Sequence, residues 1–209
     1  MQYLSMLISD KDEFIFIHIP KTAGSSIRKL LLPRAIKNPT SRLSSALKRF
    51  DLPKDYRKFR FGLHYSLLEA QLKLPDEVFE SYKKIAFVRN PWDRMVSSFA
   101  YKVHGTKDKK RTISYSFEEF IKSQANRKNQ SDYLLDKNGD LGCDFIGRFE
   151  SLDEDYLRMQ AFLNIELPPL TKLNVSKRSG AYRDYYTQST RDLVAQYYKN
   201  DIELFGYQF

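Results

Sequence analysis

Residues 14–19 form an almost unbroken apolar run, Phe14-Ile15-Phe16-Ile17-His18-Ile19, rich in β-branched and aromatic side chains. Too short for a helix, such a run predicts a strand buried on both faces. A turn of small and polar residues follows, Pro20-Lys21-Thr22-Ala23-Gly24-Ser25-Ser26, and then Ile27, Leu30 and Leu31 recur at the spacing of one buried helix face. The same succession returns further on. Ile85-Ala86-Phe87-Val88 reads as a second fully buried strand, Asn90 as an N-cap and Pro91 as the first residue of a helix. Between the two units, the alternation in Phe59-Arg60-Phe61-Gly62-Leu63-His64 predicts a strand ending at His64. Leu67, Leu68, Gln71 and Leu72 then predict a helix stopped by Pro75, and a short helix is expected around residues 43–50.

The second half reads as more helical. Ser116 with Glu119, and Ser151 with Glu154, have the spacing of capping boxes ahead of apolar helical patterns. Asp144-Phe145-Ile146-Gly147-Arg148-Phe149 reads as a strand between them. A single terminal helix starting at Thr187 or Ser189 is expected to carry Leu193, Val194, Tyr197, Tyr198, Ile202 and Phe205. Strands alternating with helices imply an α/β domain with a central, largely parallel sheet flanked by helices. Ligands of such sheets bind beyond the carboxyl ends of the strands, where both turns lie.

At 209 residues the chain is expected to be one domain, 1–209. No apolar run is long enough to span a bilayer. The first dozen residues lack a basic n-region and a signal-type apolar stretch. The lone Cys143, expected to be a small core residue, suits a reducing compartment. A net charge of +9 points to anionic partners.

A strand, a small-residue turn and a helix start make an anion cradle, because the first-turn N–H groups and the helix dipole face whatever sits there. Lys21 adds a full charge. The order of residues excludes a Walker A loop, in which Lys follows the second Gly; here Lys21 precedes Gly24. The second turn carries Arg89 at its tip, so two anion sites are expected. No strand-end Asp is evident to hold magnesium for a kinase or nucleotide hydrolase, which is the alternative reading of the first loop. A non-catalytic polyanion binder is the other alternative.

Pro20-Lys21-Thr22-Ala23-Gly24-Ser25-Ser26 closely resembles the 5′-phosphosulfate loop of the sulfotransferases that use 3′-phosphoadenosine-5′-phosphosulfate (PAPS). Arg89-Asn90-Pro91, with Ser97 eight residues after the Arg, resembles their 3′-phosphate site. The carbohydrate branch, with the heparan 2-O and chondroitin 4-O enzymes, is the most similar. Phe145-Ile146-Gly147-Arg148-Phe149-Glu150-Ser151-Leu152 and the segment from Tyr198 to Tyr207 resemble its later blocks, so the likeness covers residues 14 to about 207.

The resemblance implies a P-loop-NTPase-like sulfotransferase fold and sulfuryl transfer from PAPS to an acceptor hydroxyl, with adenosine 3′,5′-bisphosphate as product and no metal. Thr22, Ala23, Gly24, Ser25 and Ser26 would bind the 5′-phosphate, and Lys21 would stabilise the departing oxygen. Arg89 and Ser97 would hold the 3′-phosphate, joined by Ser176, Lys177 and Arg178 from a later loop. His64 matches the branch's general base, with Glu69 a weaker candidate. His18 is expected to be structural, and His104 to lie exposed in the loop that carries Lys107, Lys109, Lys110 and Arg111. Trp92, Arg148 and Glu150 are expected to brace the fold, and Asp93 and Arg94 to form local ion pairs. Tyr182, Tyr185 and Tyr186 suit either sugar stacking or helix packing. The implied acceptor is a glycan or glycoconjugate; no nucleic-acid partner or transmembrane segment is expected. Golgi members of the family carry a membrane anchor and lumenal disulfides. A cytoplasmic, bacterial protein is therefore expected here, with a trimmed lumenal domain as the alternative that the start at Met1 disfavours.

Overall fold

A computed structural model describes residues 6–36, 56–58, 61–104, 116–170 and 180–209. The expected helix around 43–50 and the loop residues Ser176, Lys177 and Arg178 lie outside them. Strands β1 (Leu7–Ser9) and β2 (Phe14–Ile17) form a hairpin, with Leu7 opposite Phe16. Its turn is tied down by Arg34, whose guanidinium donates to both carboxylate oxygens of Asp12 at 2.7 Å. Helix α1 (Gly24–Leu31) follows β2, and two short helices, α2 (Leu67–Gln71) and α3 (Asp76–Ser81), lead to β3 (Lys83–Val88). Helix α4 (Pro91–His104) leaves β3 at once. Then come α5 (Phe117–Lys122), β4 (Phe145–Arg148), α6 (Leu152–Leu163), α7 (Gln188–Tyr197) and α8 (Lys199–Phe205).

The sheet runs β1-β2-β3-β4, antiparallel at the hairpin and parallel thereafter. Alternation of side chains along the two central strands builds two cores. Phe14, Phe16, Ile85 and Phe87 face Ile27 and Leu31 of α1 and Tyr156, Met159 and Leu163 of α6. Ile15, Ile17, Ala86 and Val88 belong to the opposite core, with Leu67, Trp92, Met95, Ile121 and Val194. Helices thus cover both faces, which is why these strands read as unbroken apolar runs. Because β2 and β3 are neighbours and parallel, with Ile17 opposite Ala86, the turns that follow them emerge side by side. Among the described residues no helix is long and apolar enough to cross a membrane.

Several local expectations need correction. The segment ending at His64 is not a strand over its described part: residues 63–64 form a turn, and Gly62 C=O accepts from Met6 N at 3.1 Å. The edge of β2 beside it is already paired by β1, and Phe61 satisfies its apolar character by burial against Tyr65 instead. Ser151 makes no capping box with Glu154. Its Oγ donates to Asp155 Oδ2 at 2.8 Å, a carboxylate that also takes Arg148 N. The terminal helix is two, broken at Tyr198 (φ −117, ψ 30). His104 closes α4 and is not in a loop. Cys143 is half-buried, not core. The Ser116–Glu119 box and the Asn90 cap, which accepts from Trp92 N and Asp93 N, form as expected.

Phe87 and Gly147 face each other across the β3–β4 ladder, and a Cβ at 147 would lie 2.3 Å from Phe87 Cε1. The Phe87 ring is fully buried and packed against Phe145, so it has nowhere to go. Gly147→Ala should cost about 1–3 kcal/mol by overpacking, read as a lowered urea midpoint with an unchanged m-value.

Candidate active site

The first turn is bent by two left-handed residues, Lys21 (φ 71) and Ala23 (φ 63), on either side of Thr22. Neither is glycine, so each conformation costs about 1–3 kcal/mol and persists because its surroundings hold it. Thr22 is buried and its hydroxyl donates to Ile19 C=O at 3.0 Å, bracing the loop from inside. What Thr22 can offer an anion is therefore its backbone. Ser26 is buried and Ser25 exposed at the start of α1, where Ser26 N donates to Ala23 C=O at 2.9 Å. Gly24 is required for a packing reason. A Cβ there would sit 2.0 Å from Cδ2 and 2.3 Å from Nε2 of the buried His18 ring.

Two arginines from the neighbouring turn hold this loop by consecutive carbonyls. Arg94 Nε donates to Pro20 C=O at 3.2 Å, and Arg89 Nη1 donates to Lys21 C=O at 3.1 Å. The Arg89 guanidinium also donates to Asp93 Oδ2 through Nε and Nη2, both at 2.8 Å, and lies 3.7 Å from the Phe149 ring centroid. Ser97 is buried on α4 one turn beyond Asp93, on the same helix face. The Arg89–Asp93 pair is the local one expected. Arg94 instead reaches Asp201 of α8, 3.9 Å away.

Lys21 points its ammonium at the Tyr101 ring, 4.3 Å from the centroid. Burial first, then the charges of Arg89 and Arg127, lower its pKa to about 8. His64 is exposed, and its Nδ1 lies 2.8 Å from His18 C=O. A carbonyl can only accept, so the proton sits on Nδ1 and the lone pair on Nε2. The His64 ring lies 4.7 Å from that of His18, whose own pKa is lowered to about 3 by burial, then by His64 and Arg28, which keeps it neutral. His18 is structural as expected, though structural for this site. Glu69 Oε2 is taken up by Ser66 N and Oγ in a capping box at the start of α2.

The turn at Asn90 is held from outside as well. Asn90 N donates to Glu150 Oε1 at 2.7 Å, and its side-chain amide donates to Gln208 C=O at 2.8 Å. Trp92 packs edge-on against Phe209, and Tyr186 Oη donates to Trp92 C=O. Tyr182 also packs on Phe209 and Tyr185 on Phe117, so these tyrosines serve helix packing. Sequence reasoning missed the roles of Gln130 and Asp201. Gln130 sits in the polar stretch Lys128-Asn129-Gln130-Ser131-Asp132 and carries no signal, and Asp201 has only its place on the α8 face shared with Phe205.

The arrangement is a pair of cationic turns at the ends of adjacent parallel strands, with an imidazole lone pair nearby. The model of the sulfotransferase family matches residues 4–208, and the chain belongs to that family. Human carbohydrate sulfotransferase 9 is 24% identical over 241 residues, covering 96% of this chain; the chain spans about half, 52%, of that relative's length. An uncharacterized protein of Archaeoglobus fulgidus is 33% identical over 88 residues, 40% of this chain and 68% of its own. Among solved structures, mouse sulfotransferase SULT7A1 complexed with PAP superposes with a TM-score of 0.53 at 18% identity, over 93% of this chain and 86% of the other. That likeness establishes a shared fold.

A lysine is protonated, and unreactive to acylating reagents, below its pKa. Competitive acetylation of Lys21 should therefore reach half-maximum near pH 8, about two units below an ordinary surface lysine. A midpoint above about pH 10 would refute the buried, cation-flanked environment.

Proposed function

We propose that the protein transfers a sulfuryl group from PAPS to a hydroxyl of a carbohydrate acceptor, with His64 as general base. The observation that carries this reading is the clasp of Pro20 and Lys21 carbonyls by Arg94 and Arg89, which joins the two cationic turns at the carboxyl ends of adjacent strands. PAPS has an anionic group at each end of a nucleoside, and the donor set fits it. The Thr22–Ser26 backbone and Lys21 suit the 5′-phosphosulfate end. Arg89 and Ser97 suit the 3′-phosphate, and Ser176 and Arg178 enter the same site on resemblance alone. PAPS supplies an activated sulfur whose bond to the bridging oxygen breaks.

His64 Nε2 takes the acceptor proton as the hydroxyl oxygen attacks sulfur, and the Nδ1–H bond to His18 C=O stabilises the imidazolium that results. The bond from sulfur to the bridging oxygen breaks in step, its electron pair staying on the 5′-phosphate. Lys21 places its charge there. Tyr101, half-exposed beside Lys21, suits contact with a sugar, and the carbohydrate acceptor rests on it and on the likeness to carbohydrate sulfotransferase 9. Burial pushes the Cys143 thiol up, which keeps it inert and suits a reducing, cytoplasmic setting.

Adenosine 3′,5′-bisphosphate should raise the melting temperature, and ATP with magnesium should do so less. Lys21→Ala and Arg89→Ala should each remove most of that shift. His64→Ala should keep nucleotide affinity within about twofold and lower turnover of labelled PAPS on glycan acceptors by about 10²–10⁴-fold, the usual worth of a general base. No stabilisation by the bisphosphate would overturn the donor assignment; full turnover in His64→Ala would remove it as base.

A further inference from the structure

The main chain of Arg89 is gripped on both sides by one side chain. Its N–H donates to Gln130 Oε1 and its C=O accepts from Gln130 Nε2, both at 2.8 Å. Gln130 is fully buried and is itself held by Asp201, also at 0% exposure. Asp201 Oδ2 accepts from Gln130 N at 2.8 Å and from Nε2 at 3.2 Å; Oδ1 accepts from Ser131 N at 2.8 Å and Oγ at 3.0 Å. The same Oδ2 is the ion-pair partner of Arg94, whose Nε holds Pro20 C=O. One carboxylate therefore reaches the second anion turn through Gln130 and the first through Arg94.

We propose that Asp201 is a positioning residue that couples the two anion-binding turns, so that both ends of the nucleotide are held through one buried carboxylate. The proposal rests on the donor assignment above for its ligand, but not for its geometry. Asp201→Asn keeps the shape and turns one acceptor into a donor. Whichever oxygen is replaced, an N–H then faces the donors of Gln130 and Arg94 or those of Ser131. A carboxylate that only anchored α8 would leave the turns in place when changed.

The test compares wild type, Asp201→Asn, Gln130→Met and Arg89→Ala by calorimetric titration with adenosine 3′-phosphate and with adenosine 5′-phosphate. Asp201→Asn and Arg89→Ala should each weaken both by about tenfold, the latter because Arg89 also holds Lys21 C=O, and Gln130→Met should weaken chiefly the 3′-phosphate. In the Arg89→Ala background, Gln130→Met should add little, the non-additivity of groups acting through one another. A second arm needs no ligand: hydrogen exchange of Asp201→Asn should speed up in residues 18–26 and 88–94 together, and stay unchanged in β4 and α6. Faster exchange confined to residues 130–134 and 199–205, or unchanged affinity for both monophosphates, would overturn the coupling. Absence of nucleotide binding in wild type would defeat the donor assignment, and the exchange arm would still decide the coupling. Where Asp201→Asn does not fold, Gln130→Met must loosen residues 88–94 alone, and failure to do so overturns the proposal.

Discussion

Two guanidinium groups on two consecutive carbonyls hold this site together. A loop with two left-handed non-glycine residues is not a conformation the chain adopts by itself. It exists because Pro20 and Lys21 are held from outside by Arg94 and Arg89, and from inside by the Thr22 hydroxyl on Ile19. The arginines are long enough to cross between turns only because β2 and β3 are adjacent, parallel and in a register that ends them together. The sheet order is thus a condition for the chemistry as well as for the cores.

The arrangement gathers Lys21, Arg89 and Arg94 in a partly desolvated space, which is unfavourable for each of them. Asp93 and Asp201 offset the cost at the arginines, whereas among the described residues Lys21 meets an aromatic face and no carboxylate. Its lowered pKa records that imbalance. An anion arriving at the turn relieves repulsion already present, so part of its binding energy comes from the protein's own strain. In the proposed transfer, preorganisation of this kind would leave little reorientation to be done when charge develops on the leaving oxygen.

Much of this was legible in the sequence, and the reasons are physical. Unbroken apolar runs disclosed the two buried strands, and the small residues after them disclosed both turns. Local caps at Asn90 and Ser116 could be read because their partners lie within three residues. The false strand at residues 59–64 shows the limit. Its alternation was genuine, but the neighbouring edge was already occupied by a three-residue strand too short to leave a pattern. Ser151 failed as a box because Asp155, one residue past the expected Glu154, had a better-placed carboxylate. Gln130 and Asp201 were illegible for another reason: their partners are distant in the chain, and only the fold brings them to Arg89 and Arg94.

The packing of His18 under Gly24 has a consequence for how this site could diverge. One imidazole occupies the space that a side chain at position 24 would need, and its backbone carbonyl fixes the tautomer of His64. A larger residue at 24 would press on the ring of the same residue whose carbonyl orients His64. Positions 18, 24 and 64 therefore meet at one residue, His18, through its ring and its carbonyl. In lineages of this family the three should show correlated replacement, although they lie on a strand end, a helix start and a separate turn.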